Sequence, residues 1–236
     1  MRGMIEIFNV DYNEYVDIIG TAHFTRRSIN DAYKSIRSSR PEDIALELDW
    51  RRFQQLNTAC IGCLRRDSCK GICEFTVASD TLGNVNANIW LIDMSEREMR
   101  TRIRGLMTPL ERRNAAHRRY RYGGENPTWL WERGFKDRVI NNSKRQIEAE
   151  RQYFPSVWRV LIDERNALMA ARLASIASAK LEDGNNPRIL TFVGAAHVEG
   201  LRALLRAPIR VRENLQKFNL SYTEPTLIRR VAVQAN

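Results

Sequence analysis

The sequence predicts an α/β fold, a central and mainly β sheet flanked by helices. Two segments, Asp17-Ile18-Ile19-Gly20-Thr21-Ala22-His23 and Leu190-Thr191-Phe192-Val193-Gly194-Ala195-Ala196-His197, repeat one pattern: an apolar strand-like run, a glycine, two small residues and a histidine. Helical spacing follows each copy, with Ile29, Ala32, Tyr33 and Ile36 after the first and Val198 to Leu205 after the second. Strands that are apolar throughout need helices over both sheet faces, which makes these paired strand-turn-helix units the frame of the fold.

Ser28 is the candidate cap of the first helix, and Pro41 ends it. Ile44-Ala45-Leu46-Glu47-Leu48 then reads as a short buried strand, completing a β-α-β unit. Leu91-Ile92-Asp93 is also strand-like. From Asn141 to Tyr153 charged residues dominate, as in an exposed helix or connection, and after Pro155 the run from Val157 to Ile162 returns to the core. Asp163 to Leu173 has an apolar face with helical spacing. Lys180 to Pro187 is turn-rich, Ile189 to Val193 is a strand, and Leu227 to Val233 is a last strand. No low-complexity linker divides the chain, so residues 1–236 read as a single domain carrying a cysteine-rich loop at 60–73 and a basic, aromatic insertion at 100–135.

With 38 Lys and Arg against 28 Asp and Glu, the formal charge is +10, which favours anionic partners without choosing between nucleic acid, phosphate, a membrane surface and acidic peptides. There is no long apolar span and no secretory leader, so the expectation is a cytoplasmic protein with no integral membrane segment. A homo-oligomer can use a helical face, although the same apolar residues are explained as readily by the core.

The chain has three histidines, and two of them occupy matching frames. His23, Glu47 and His197 all fall at or just past the carboxyl ends of predicted strands, where ligands of open α/β sheets bind. Two imidazoles and a carboxylate can hold a divalent metal with positions left for water and substrate, which makes His23 and His197 candidate ligands, Glu47 a ligand or a catalytic base, and Asp49 a ligand or an orienting group. Glu164 and Arg165, near the start of the long helix, can relay a proton and stabilise developing negative charge. The plainer reading of the same residues is a pair of helix-capping turns and a surface ion pair.

Cys60, Cys63, Cys69 and Cys73 crowd into the 60–73 loop. Four thiolates at these separations can bind structural zinc or an iron–sulfur cluster, with disulfides or free thiols as the alternatives. Arginine dominates from 100 to 122, with His117, two tyrosines, Trp129 and Trp131 nearby. That mixture can hold phosphates and stack bases, the nucleic-acid alternative, or it can be a solvated insertion whose aromatics pack on the core.

Gly20-Thr21-Ala22-His23, Glu47-Leu48-Asp49, Glu164-Arg165-Asn166 and Gly194-Ala195-Ala196-His197, in this order, resemble the TraB/PrgY family, which is related to the Tiki proteases and more distantly to erythromycin-esterase and ChaN-like proteins. The resemblance runs from about Tyr15 to Leu205, and Ser28, Val77-Ala78-Ser79-Asp80 and Leu91-Ile92-Asp93 also look like parts of the pattern. It implies a metal-dependent hydrolase acting on a peptide or related acyl bond. His23 and His197 would be the family's paired histidines, Glu47 its first acidic residue, and Glu164 with Arg165 its later acidic-basic pair; an arginine after Leu91-Ile92-Asp93, with Arg100 the first choice, would approach the crevice. Many relatives add a membrane-spanning C-terminal region, which is not carried over to this chain.

Overall fold

The computed structural model describes residues 10–23, 25–54, 87–117 and 126–230. Five strands form one sheet: β1 (Val16–Thr21), β2 (Asp43–Leu46), β3 (Asn88–Leu91), β4 (Ile189–Gly194) and β5 (Thr226–Arg230), in the order β1-β4-β2-β3-β5. The first four run parallel, and β5 is an antiparallel edge strand on β3. The fold is therefore α/β, as predicted.

Helix α1 (Arg26–Ser39) follows β1, and α2 (Glu96–Leu106) and α3 (Pro109–His117) follow β3. Next come α4 (Pro127–Glu132), α5 (Lys136–Arg151) and α6 (Pro155–Trp158), which passes through a π-helical turn (Arg159–Glu164) directly into α7 (Arg165–Glu182). Helices α8 (Val198–Arg206) and α9 (Ile209–Lys217) lie between β4 and β5. Among the described residues, no helix is long and apolar enough to cross a membrane.

β4 shows why the sequence runs apolar without alternation. Its Ile189 and Val193 join a cluster with α7 and α8 on one side of the sheet, including Met169, Leu173, Leu201 and Leu205. Leu190 and Phe192 join the other side with Ala32 and Ile36 of α1. A strand in mid-sheet has no solvent face, so both residue parities must be apolar. Helix α7 is likewise buried around most of its circumference, which explains its alanine-rich composition.

The start of α1 differs from expectation. Thr25 is the N-cap, its hydroxyl accepting from the Ser28 backbone N–H at 3.2 Å. Ser28 sits inside the helix and its Oγ accepts the Ala22 N–H at 3.0 Å, tying the first Gly-x-x-His turn to the helix. From outside, the Glu132 carboxylate of α4 accepts the Arg26 and Arg27 N–H groups, so the insertion docks on the same helix start. Carboxylates are favoured there by the unpaired N–H groups and the helix dipole.

Candidate active site

Strand register brings the two motifs side by side. Gly20 pairs with Val193 and Thr21 with Gly194, so both turns leave the sheet at one level. Each glycine makes room for the other copy. A Cβ on Gly20 would lie 2.8 Å from Val198 Cγ2, and one on Gly194 would lie 3.1 Å from His23 Nε2 and 3.3 Å from Glu47 Oε2. His23, Glu47 and His197, from the ends of three different strands, thus converge around Gly194, where His197 Cδ2 is also within 3.8 Å of the same point. His23 is on the exposed side, whereas Glu47 and His197 are buried.

Arg165 organises the buried part. Its Nε donates to Asp93 Oδ1 at 2.9 Å and its Nη2 to Asp93 Oδ2 at 2.6 Å, a two-pronged pairing that fixes the guanidinium plane. The same Nη2 reaches Glu47 Oε1, and Nη1 lies 3.1 Å from His197 Nε2. The other Glu47 oxygen accepts the Gly194 N–H at 2.5 Å. On the far side of the imidazole, His197 Nδ1 meets Asn166 Oδ1 at 2.7 Å. With an amide oxygen as partner, Nδ1 carries the hydrogen and Nε2 keeps its lone pair, the nitrogen facing Arg165 and Glu47.

A second arginine braces the first. Arg52 Nη2 donates to Asp93 Oδ2 at 2.6 Å while its Nε holds Asp49 Oδ2 at 2.9 Å. Asp49 also accepts the Arg52 and Glu96 backbone N–H groups, the latter at the start of α2. Burial alone would raise the Asp93 carboxyl, but Arg165 and Arg52 hold it well below the ordinary range. Burial would lower the Arg165 guanidinium, and Asp93 with Glu47 more than reverse this. Burial would also raise Asp49, but the Arg52 N–H, the Arg52 guanidinium and the Glu96 N–H together hold it low. His197 moves down from its usual value because it is buried, with Arg165 and His23 adding to that and Glu47 opposing it. The imidazole is therefore neutral near pH 7.

The remaining candidates have other places. Glu164 is fully buried with its oxygens on Arg102 Nε at 2.5 Å and Arg159 Nε at 2.8 Å, bracing the π turn that precedes Arg165. Arg100, expected at the crevice, lies on the outer face of α2 paired with Glu96 and 67% exposed; Arg102 is the residue that reaches inward, because positions two apart on a helix face roughly opposite directions. Sequence reasoning quoted Asp93 and Asn166 only as members of motifs, without their contacts to Arg165 and His197, and did not name Arg52 at all. Cys60, Cys63, Cys69 and Cys73, the 77–80 stretch and residues 118–125 lie outside the described residues.

The donor types here are ones that could hold a cation. Two imidazoles and a carboxylate are ligand types a divalent ion takes, and an amide anchoring the other nitrogen of His197 is the outer contact a ligating histidine uses. Glycine at 194 keeps the space beside His23 Nε2 and Glu47 Oε2 clear. Binding there has one condition: the contacts that Arg165 makes with Glu47 Oε1 and His197 Nε2 must be given up. Among the described residues, no three His, Cys, Asp or Glu side chains form a ready-made metal cluster. Asp49 is committed to Arg52 and the α2 N-terminus rather than presented as a ligand.

No protein-family model matches the chain. No solved structure matches it either. The sequence is 27% identical, over an alignment of 230 residues, to an uncharacterized protein of Methanocaldococcus jannaschii, a match that takes in 86% of this chain and 56% of that protein. The chain thus spans little more than half the length of that relative, and the likeness brings no named activity with it.

Proposed function

We propose that the chain is a TraB/PrgY-like, metal-dependent hydrolase acting on a peptide or related acyl bond. The observation that supports this reading is the convergence of His23, Glu47 and His197 on the clearing at Gly194, beside a guanidinium clamped by Asp93. His23, His197 and Glu47 would hold the metal. A divalent ion bound by them would supply a water acidified to near neutral pH and a Lewis acid for the carbonyl.

The protein's own groups do the rest. Neutral His197, fixed through Nδ1 by Asn166, presents Nε2 in one orientation and so can bind the ion without a rotamer search. Arg165, released from Glu47, is a fixed cation for the oxygen on which negative charge grows or for a substrate carboxylate. Asp93 and Arg52 keep that cation from following the substrate out. Glu164 acts as a brace for the π turn, which makes it a positioning residue in this mechanism.

The test is hydrolysis of a peptide library and of simple acyl esters by the purified chain, after chelation and after return of manganese, cobalt or zinc. Turnover should vanish on chelation, return with one ion, and be absent in His23→Ala and His197→Ala variants that remain folded. Turnover that survives chelation and both substitutions sinks the reading.

A further inference from the structure

Beside the crevice, α5, the π turn and the start of α8 border a second, half-open space of about 370 Å³. Its apolar surface comes from Ile140 and Ile147 of α5, Ile162 of the π turn, and Ala195 and Ala196 of the second motif. Asn166 contributes to the wall, the same side chain whose Oδ1 faces His197 Nδ1. The pocket therefore shares a wall with the crevice. The three isoleucines are only partly buried; Ile140 packs in part on Leu130, Trp131 and Val139, and Ile147 and Ile162 carry the apolar surface that the core clusters leave over. Alanines at 195 and 196 and glycine at 200 leave the turn side open, where larger residues would fill it.

Charge narrows the occupant. Lys144 Nζ holds Glu199 Oε2 at 2.9 Å, and Arg151 grips Asp163 with bonds of 2.7 and 2.8 Å, both pairs tying α5 to the opposite wall. Glu148 is a further carboxylate in the lining. The charges that line the pocket are thus two cations and three carboxylates, an acidic balance on a chain of net charge +10. An acidic group is repelled there, while an apolar one exchanges water for isoleucine. The space is far larger than the roughly 30 Å³ share of a water molecule and falls within the range of small-ligand pockets.

We propose that this pocket receives a bulky apolar side chain, aliphatic or aromatic, of a peptide substrate, beside the bond presented to the crevice. It names the substrate preference of the hydrolase reading and rests on that reading, but occupancy of the pocket can be read without turnover. The experiment follows isoleucine-methyl NMR signals of the full chain during titration with N-acetyl-leucinamide, N-acetyl-phenylalaninamide, N-acetyl-glycinamide and N-acetyl-glutamic amide. Expected are shifts of the Ile140, Ile147 and Ile162 methyls with the leucine and phenylalanine probes, binding roughly tenfold or more tighter than the glycine probe, and a matching loss in Ile147→Trp. Peptides with leucine or phenylalanine next to the cleaved bond should show the same preference in kcat/KM. Equal binding of all four probes, or shifts confined to other methyls in a folded protein, overturns the pocket assignment. Selective methyl shifts with no peptide turned over support the pocket and overturn the hydrolase reading.

Discussion

Replacing Asp93 by asparagine tests the clamp on which the crevice depends. The carboxylate is completely buried and takes both prongs of Arg165, one contact from Arg52 and the Met94 N–H at 2.7 Å. The substituted amide would keep the shape, lose the charge and turn an N–H₂ group toward a guanidinium. Breaking a buried pair from one side costs about 3–5 kcal/mol, nearly all of it through Arg165. The Arg52 side chain is 25% exposed, so water compensates that contact and little is added for it. For a chain of this size that corresponds to a fall in Tm of about 6–20 °C. The pH dependence gives a second readout. A carboxyl whose folded pKa is depressed contributes stability above its unfolded value of about 3.9 and loses it as pH falls through the lower folded value. The natural protein should therefore lose stability more steeply below about pH 4 than the Asp93→Asn variant. Thermal unfolding across pH measures both, and a Tm within about 2 °C of the natural protein with parallel acid limbs would refute the buried-clamp argument.

His197 carries the opposite protonation chemistry with the same sign: its folded pKa is lowered, so its contribution to stability is complete above about pH 6.5 and declines as pH falls through the lower folded value. An NMR titration of the ring should show the midpoint below that of a free histidine, and a midpoint above it would mean that Glu47 outweighs burial and Arg165. Gly200→Ala should destabilise by about 1–3 kcal/mol, because a Cβ there would stand 2.2 Å from Asn166 Nδ2. The displaced amide should also free the His197 ring, visible as a changed tautomer signal; an unchanged signal would place the anchor elsewhere. Glu164→Gln should lower stability by about 1–3 kcal/mol through its weakened hold on Arg102 and Arg159, while turnover at a temperature where the variant is folded falls only modestly. A large loss of kcat with unchanged Tm would restore Glu164 to the proton-transfer role.

The two motif turns were legible because everything that shapes them is local: an apolar run, a glycine and small residues before histidine. Glu47 followed from its place at the end of a short buried strand. Asp93 ended a strand-like segment that was visible, yet its partner comes from α7 and no local pattern announces a pairing that distant. Arg100 and Arg102 flank opposite sides of the Met99, Ile103 and Leu106 stripe that packs on the core, so that stripe alone does not say which of them turns inward. The π turn adds a similar obstacle, since its wider turn rotates Glu164 onto Arg102 and Arg159, whereas regular helical spacing points it at the crevice. Thr25 as cap was within reach, since Thr-x-x-Ser ahead of an apolar-periodic run is itself a helix-start pattern.

The strand order gives synthesis of this chain a particular timetable. β4 lies between β1 and β2, yet it is made only after α7. A nascent chain that has emerged through α7 holds β1 with no neighbour and β2 with an open edge, so neither side of the future crevice is yet positioned. Arrival of residues 189–197 joins β1 to β2 through β4 and delivers Gly194 and His197 in the same step. Such long-range pairing slows folding and leaves sheet edges exposed while it waits. Ribosome stalling before β4 would therefore leave a fragment with exposed sheet edges and no assembled crevice.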